Sequence, residues 1–188
     1  MNLNYKHLGM YLVAGVASGL LCHFPLGIID SALFFFGTNF TPAIILGIMI
    51  FLAGRYISGI TPQNSWLNPL ILILACGVGW FLAHQHGSTG EFSIGANGEF
   101  SGVEYGVIGI VEIESGVIGG FFVGIGLVIA WRLKRTRMVI MLTTLAGGLG
   151  GLVLALVGFQ LLFIYWQGIL LLGMGIAIQI DSHKSSIS

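Results

Sequence analysis

Hydrophobic residues run along this chain in long blocks, broken by short polar or glycine-rich joints rather than by the alternation of a soluble domain. A membrane-crossing helix needs about 20 mostly apolar residues, with ~17 as the lower limit. Blocks of that kind lie at 8–24, 41–57, 67–83, 115–131, 138–157 and 161–180, which predicts six spans. Pro42 and Pro69 fall in the first turns of their blocks, where the missing N–H costs a helix little. The last two blocks are joined by only "GFQ", so they form a tight antiparallel pair. The fold class expected is an all-α integral membrane protein, a six-helix bundle forming a single polytopic domain over residues 1–188.

Composition sharpens that expectation. Of 188 residues, 56% are hydrophobic and 7% charged, and the mean hydropathy is +0.98. Soluble domains carry roughly 25% charged residues, so the lipid bilayer is the expected surroundings. The net charge is zero and no long basic tract is present, which argues against nucleic acid as a partner. The two cysteines, Cys22 and Cys76, sit in apolar blocks and read as small core residues rather than a disulfide framework. At the N-terminus, "GLLC" places Leu21 where a lipoprotein signal requires a small residue. The apolar run continues past any cleavage point, so the first block reads as a retained span.

The basic residues set the orientation. Lys6, Arg55, Lys184 and the "WRLKRTR" loop, with Arg132, Lys134, Arg135 and Arg137, all fall on one side when six spans alternate. Glu91, Glu99, Glu104, Glu112 and Glu114 fall on or near the other side. Basic residues mark the cytoplasmic face, so both termini are expected in the cytoplasm, in a bacterial inner membrane. The basic loop is a topology anchor with a modest attraction for anionic lipid headgroups. Trp66, Trp80, Trp131, Tyr165 and Trp166 read as interfacial belt residues.

Residues 84–115, "HQHGSTGEFSIGANGEFSGVEYGVIGIVEIES", interrupt the pattern with a repeated "GEFS". This Gly-punctuated, Val/Ile-rich stretch is compatible with extended hairpins as well as with helix. On a helix Glu112 and Glu114 would point about 200° apart. Glu112 would then fall in line with Gly116, Gly120 and Gly124, and Glu114 would face lipid at a cost of roughly 2.5–3.5 kcal/mol if central. On a strand both share a face. The expectation is therefore an extracytoplasmic loop over 84–114, partly extended, with the membrane beginning after Glu114. An intramembrane carboxylate used in ion or proton coupling is the competing reading, mainly for Glu112.

A second irregular stretch is "CHFPLGIIDSALFFFGTNFTP", in which Pro25 and Gly27 break the apolar run. It reads as a re-entrant or interfacial segment returning to the second span at Thr41. Asp30 is either a polar contact on a substrate path or the N-cap of a short helix, and His23 precedes the break by about a turn. His84 and His86 with Glu91 lack a third firm metal ligand, and His23 lacks a second axial partner for a haem. No metal or cofactor is assigned. No nucleophile–base pair, phosphate loop or zinc-protease motif occurs, so an enzyme is not expected.

Glycine, at 30 residues, is about twice its usual share. Gly15 and Gly19, then Gly116, Gly120 and Gly124, then Gly147 and Gly151 form four-residue stripes that let helices approach closely. They pack one bundle together, or alternatively serve a homo-oligomer or a larger membrane complex. In size and topology alone, the chain resembles the substrate-binding subunits of energy-coupling-factor vitamin transporters. No residue motif carries that resemblance, so no binding residues follow from it. Two functions remain. One is a solute-binding or transport protein whose outward site uses Asp30, Glu112 and His23. The alternative is a non-catalytic accessory subunit.

Overall fold

In lipid every backbone N–H and C=O must be satisfied within the chain, so apolar blocks of this length are driven into helices. The computed structural model describes residues 3–23, 34–35, 38–60, 66–91, 105–157 and 162–185. Among the described residues there are six helices: α1 Tyr5–His23, α2 Thr41–Tyr56, α3 Leu67–Glu91, α4 Tyr105–Trp131, α5 Thr136–Val157 and α6 Leu162–Ser185. Two short strands, β1 Phe34–Phe35 and β2 Thr38–Asn39, pair antiparallel just before α2, Phe34 opposite Asn39 and Phe35 opposite Thr38. Among the described residues four helices, α3 to α6, carry stretches long and apolar enough to cross a membrane. The second helix is apolar but shorter, at 16 residues, or roughly 24 Å at 1.5 Å per residue.

Each helix packs on its sequence neighbour, and α1 closes the ring by packing on α6. Contacts across these seams run in opposite directions along the two chains. Gly47 meets Ile73, Gly126 meets Ala75 while Gly79 meets Phe122, and Gly15 and Gly19 meet Gln167 and Ile164. Successive helices are therefore antiparallel. The core lies midway along the bundle, where Tyr11, Ile50, Leu72, Val123, Leu127, Val139, Leu170 and Met174 are enclosed.

At the α4–α5 seam the helices are held by close backbone approach. A Cβ built on Gly116, Gly120 or Gly147 would run into the facing backbone of the other helix. The two main chains touch directly over three turns, a spacing only glycine permits. Uncharged aromatics fill the wider gaps: Trp166 lies between Gly119 and Gly150, and Trp131 lies on Gly54.

The ends are tied by polar contacts. Asn39 Oδ1 accepts from the Thr41 N–H at 2.9 Å, serving one of the unsatisfied donors at the start of α2. Arg132, in the left-handed region at φ 51, ends α4. The Arg135 N–H donates to Asp181 Oδ1 at 2.7 Å, fastening the "WRLKRTR" loop to α6. Nearby, the Asn4 N–H donates to Gln179 Oε1 at 2.7 Å, and Tyr11 and Ser58 share a 2.6 Å hydroxyl bond. Lys6, Arg55, Arg132, Lys134, Arg135 and Arg137 thus share one end of the bundle with the start of α1 and the last turns of α6.

The expectation for residues 84–114 is corrected at its two flanks, and residues 92–104, with most of the "GEFS" repeat, lie outside the described residues. Residues 84–91 continue α3, and 105–115 are the first turns of α4, so the described parts of the 84–115 segment are helical rather than extended. The objection to a helix was that Glu114 would be stranded in lipid. Because α3 runs on alongside α4, Glu114 faces His86 instead.

Candidate functional site

The end of the bundle opposite the basic residues gathers most of the buried polar groups. Buried polar side chains include Ser18, Thr41, Glu112 and Gln167, and all four belong to helix halves that face this end.

Glu112 and Glu114 part company on the helix, as a spacing of about 200° requires. The Glu112 side is 8% exposed and faces α5, where the Glu112 carbonyl lies against Gly151. It continues the line of Gly116, Gly120 and Gly124. Only because Gly147 and Gly151 lack side chains does α5 come close enough to enclose a residue this large. Glu114 is half-exposed on the other flank, its Oε2 2.7 Å from His86 Nε2 on α3. A partly solvated pair of that kind contributes at most about 1 kcal/mol.

Next to this pair, Trp80 anchors β2. Its Nε1–H donates to the Asn39 carbonyl at 2.8 Å. The indole stacks on His84 at 6.2 Å and tilts against Phe163 of α6 at 5.3 Å. Phe40 stacks on Phe81 at 6.2 Å. His84 and His86 therefore serve different neighbours, an indole and a carboxylate. Among the described residues, no group of three or more His, Cys, Asp and Glu side chains converges on a metal position.

Of the three residues proposed from sequence as solute contacts, Glu112 is the one whose side chain is placed. His23 is the last residue of α1, with its side chain outside the described set, and Asp30 lies outside the described residues altogether. Asn39, Ser18 and Gln167 went unnoticed in the sequence. Gln167 had a signal: "IYWQGILL" carries an amide inside an apolar block, and intramembrane polar residues are functional candidates by default. Trp80 was read as a belt residue, although an enclosed indole N–H normally finds an acceptor.

Comparison with family models, with curated proteins and with solved structures found no match. Any functional reading therefore rests on the arrangement of these side chains.

Proposed function

We propose that this is a six-span membrane protein with both termini in the cytoplasm of a bacterial cell, binding or transporting a small solute from the outer side. The observation that carries the reading is Glu112, a carboxylate 8% exposed within an α4 stretch apolar enough to cross a membrane. Burying such a group is costly, and membrane helices retain one mainly where it contacts a substrate, an ion or a proton path. Asp30 and His23 complete the proposed contact set, and the basic residues at the opposite end supply the orientation through the positive-inside rule.

The accessory-subunit reading receives less support. Gly15, Gly19, Gly116, Gly120, Gly124, Gly147 and Gly151, its expected contact surface, are covered by helices of the same chain.

Native mass spectrometry of the protein, released gently from its own membrane, tests the proposal. A discrete small adduct, retained in the parent and lost in Glu112→Gln, is expected. A protein carrying no adduct and bound to another polypeptide would overturn it in favour of the accessory subunit.

A further inference from the structure

A second polar constellation lies on the α1–α6 seam, away from the α4–α5 interface that holds Glu112. Tyr11, Gly15, Ser18 and Cys22 follow the i, i+4, i+7, i+11 line of one helical face. Gly15 and Gly19 bring the α1 backbone onto α6 at Gln167–Gly168 and at Phe163–Ile164. Between those two points of contact, Ser18 is 0% and Gln167 1% exposed.

Their hydrogen bonds are incomplete in a specific way. Gln167 Nε2 donates to Cys22 Sγ at 3.5 Å, and the Cys22 thiol donates to the Ser18 carbonyl at 3.2 Å. Ser18 Oγ and Gln167 Oε1 are enclosed and have no partner among the described residues. Thr41 Oγ1 and Ser115 Oγ are likewise enclosed without a partner among the described residues. Neither has a second unserved side-chain oxygen facing it across a glycine seam, as Ser18 has in Gln167. Three other helical hydroxyls bond their own helix. Thr143 Oγ1 donates back to the Val139 carbonyl at 2.9 Å, Thr144 Oγ1 to that of Ile140 at 2.7 Å, and Ser182 Oγ to that of Ile178 at 3.0 Å. That local bond is the default for a hydroxyl inside a helix. Ser18 does not make it.

Two unserved oxygens on facing helices call for a third molecule that donates to the amide oxygen and bonds the hydroxyl. It must be small, because the glycine contacts on either side leave no separation between the backbones. It must also be uncharged. No Asp, Glu, Lys or Arg lies between Tyr11 and Cys22 or between Leu162 and Ile180 to balance a charge. We propose that Ser18, Cys22 and Gln167 form a seat for one water-sized, neutral hydrogen-bond donor, water or ammonia, which bridges Ser18 Oγ and Gln167 Oε1.

The test is thermal unfolding of the purified full chain carrying Ser18→Ala, Gln167→Met, or both. A bridging molecule is lost once. Each single substitution then lowers the melting temperature, and the double variant falls no further than the worse single. Because Ser18 Oγ bonds nothing else in the described chain and alanine is the better helix former, an unbridged hydroxyl gives the opposite sign. A Ser18→Ala variant as stable as the parent or more so, or strictly additive losses, would overturn the proposal. Should Gln167→Met fail to fold, the sign for Ser18→Ala decides alone. For the parent, a melting temperature raised by ammonium chloride over sodium chloride at alkaline pH assigns the seat to ammonia. An unchanged one assigns it to water.

Discussion

Replacing Gly147 by alanine probes what holds α4 against α5. The new methyl would lie 2.9 Å from the Gly120 Cα and 3.0 Å from its nitrogen, with the Gly116 carbonyl closer still. Carbon contacts are optimal at about 3.5–4.0 Å, so the shortfall is roughly 0.6–1 Å, and the obstructing atoms are main chain that cannot rotate aside. The two helices must separate, which loosens Gly116 on Gly147 and the Glu112 carbonyl on Gly151 as well. Forced separations of this kind cost about 1–3 kcal/mol. Alanine recovers about 1 kcal/mol of helix propensity, leaving a net loss of up to about 2 kcal/mol. Gly9 and Gly77 are the matched controls. A Cβ on Gly9 meets nothing within 4 Å, and one on Gly77 meets Phe40 at an ordinary 3.8 Å. Alanine at either should stabilise the protein by about 0.5–1 kcal/mol. Reversible unfolding in mixed micelles reads all three variants on one scale. Gly147→Ala gaining stability alongside the controls would refute the claim that backbone contact sets this seam.

Two further outcomes follow from single hydrogen bonds, and a third from the basic residues taken together. Trp80→Phe keeps the ring but removes the N–H bonded to the Asn39 carbonyl, and should cost about 1 kcal/mol; a melting temperature equal to the parent's would show the bond contributes nothing. Asp181→Ala should lose about 1–2 kcal/mol by freeing the Arg135 N–H, while Asp181→Asn, which keeps an acceptor, should lose much less; differential unfolding of the two variants checks the contrast. Neutralising Arg55, Arg132, Lys134 and Arg137 together to Gln should weaken retention of phosphatidylglycerol over phosphatidylcholine, at about 1 kcal/mol or five-fold per residue, as counted from lipid adducts in native mass spectra.

The apolar blocks made the helices legible, because in lipid a long apolar run has hardly any alternative. Pro42 and Pro69 marked two starts well, within a residue or two of Thr41 and Leu67. Legibility failed at 84–91 and 105–114, where period and composition favour strand and helix almost equally. A tertiary contact settles it there: Glu114 meets His86 across a seam that no local pattern encodes. The same holds for Asn39, which becomes informative only once Trp80, some forty residues on, is folded against it. Ser18 and Gln167 look ordinary in their own blocks, and only the closing of α1 on α6 encloses both. Residues whose role depends on one neighbour in sequence could be read; those whose role depends on a neighbour across the ring could not.

Glu112 and Glu114, two acids in one apolar run, differ in surroundings in a way that chemistry can read. The apolar stretch of α4 runs from Ile110 to Trp131, 22 residues, or roughly 33 Å, slightly more than the ~30 Å hydrocarbon core. In a helix that crosses a bilayer over this stretch, Glu112 and Glu114 both fall in the first turns, so depth alone would separate them little. Lateral surroundings do: one lies against the glycine face of α5, and the other is half-exposed beside His86. A water-soluble carbodiimide applied to the intact protein in vesicles should therefore modify Glu114 readily and Glu112 slowly. An apolar carbodiimide partitioning into lipid should raise the share of modification at Glu112. Peptide mass spectrometry locates each adduct, with Glu114→Gln leaving Glu112 to be followed alone. Equal rates at both positions with the water-soluble reagent would mean that α5 does not shield Glu112, and the case for an intramembrane carboxylate would fall with that shield.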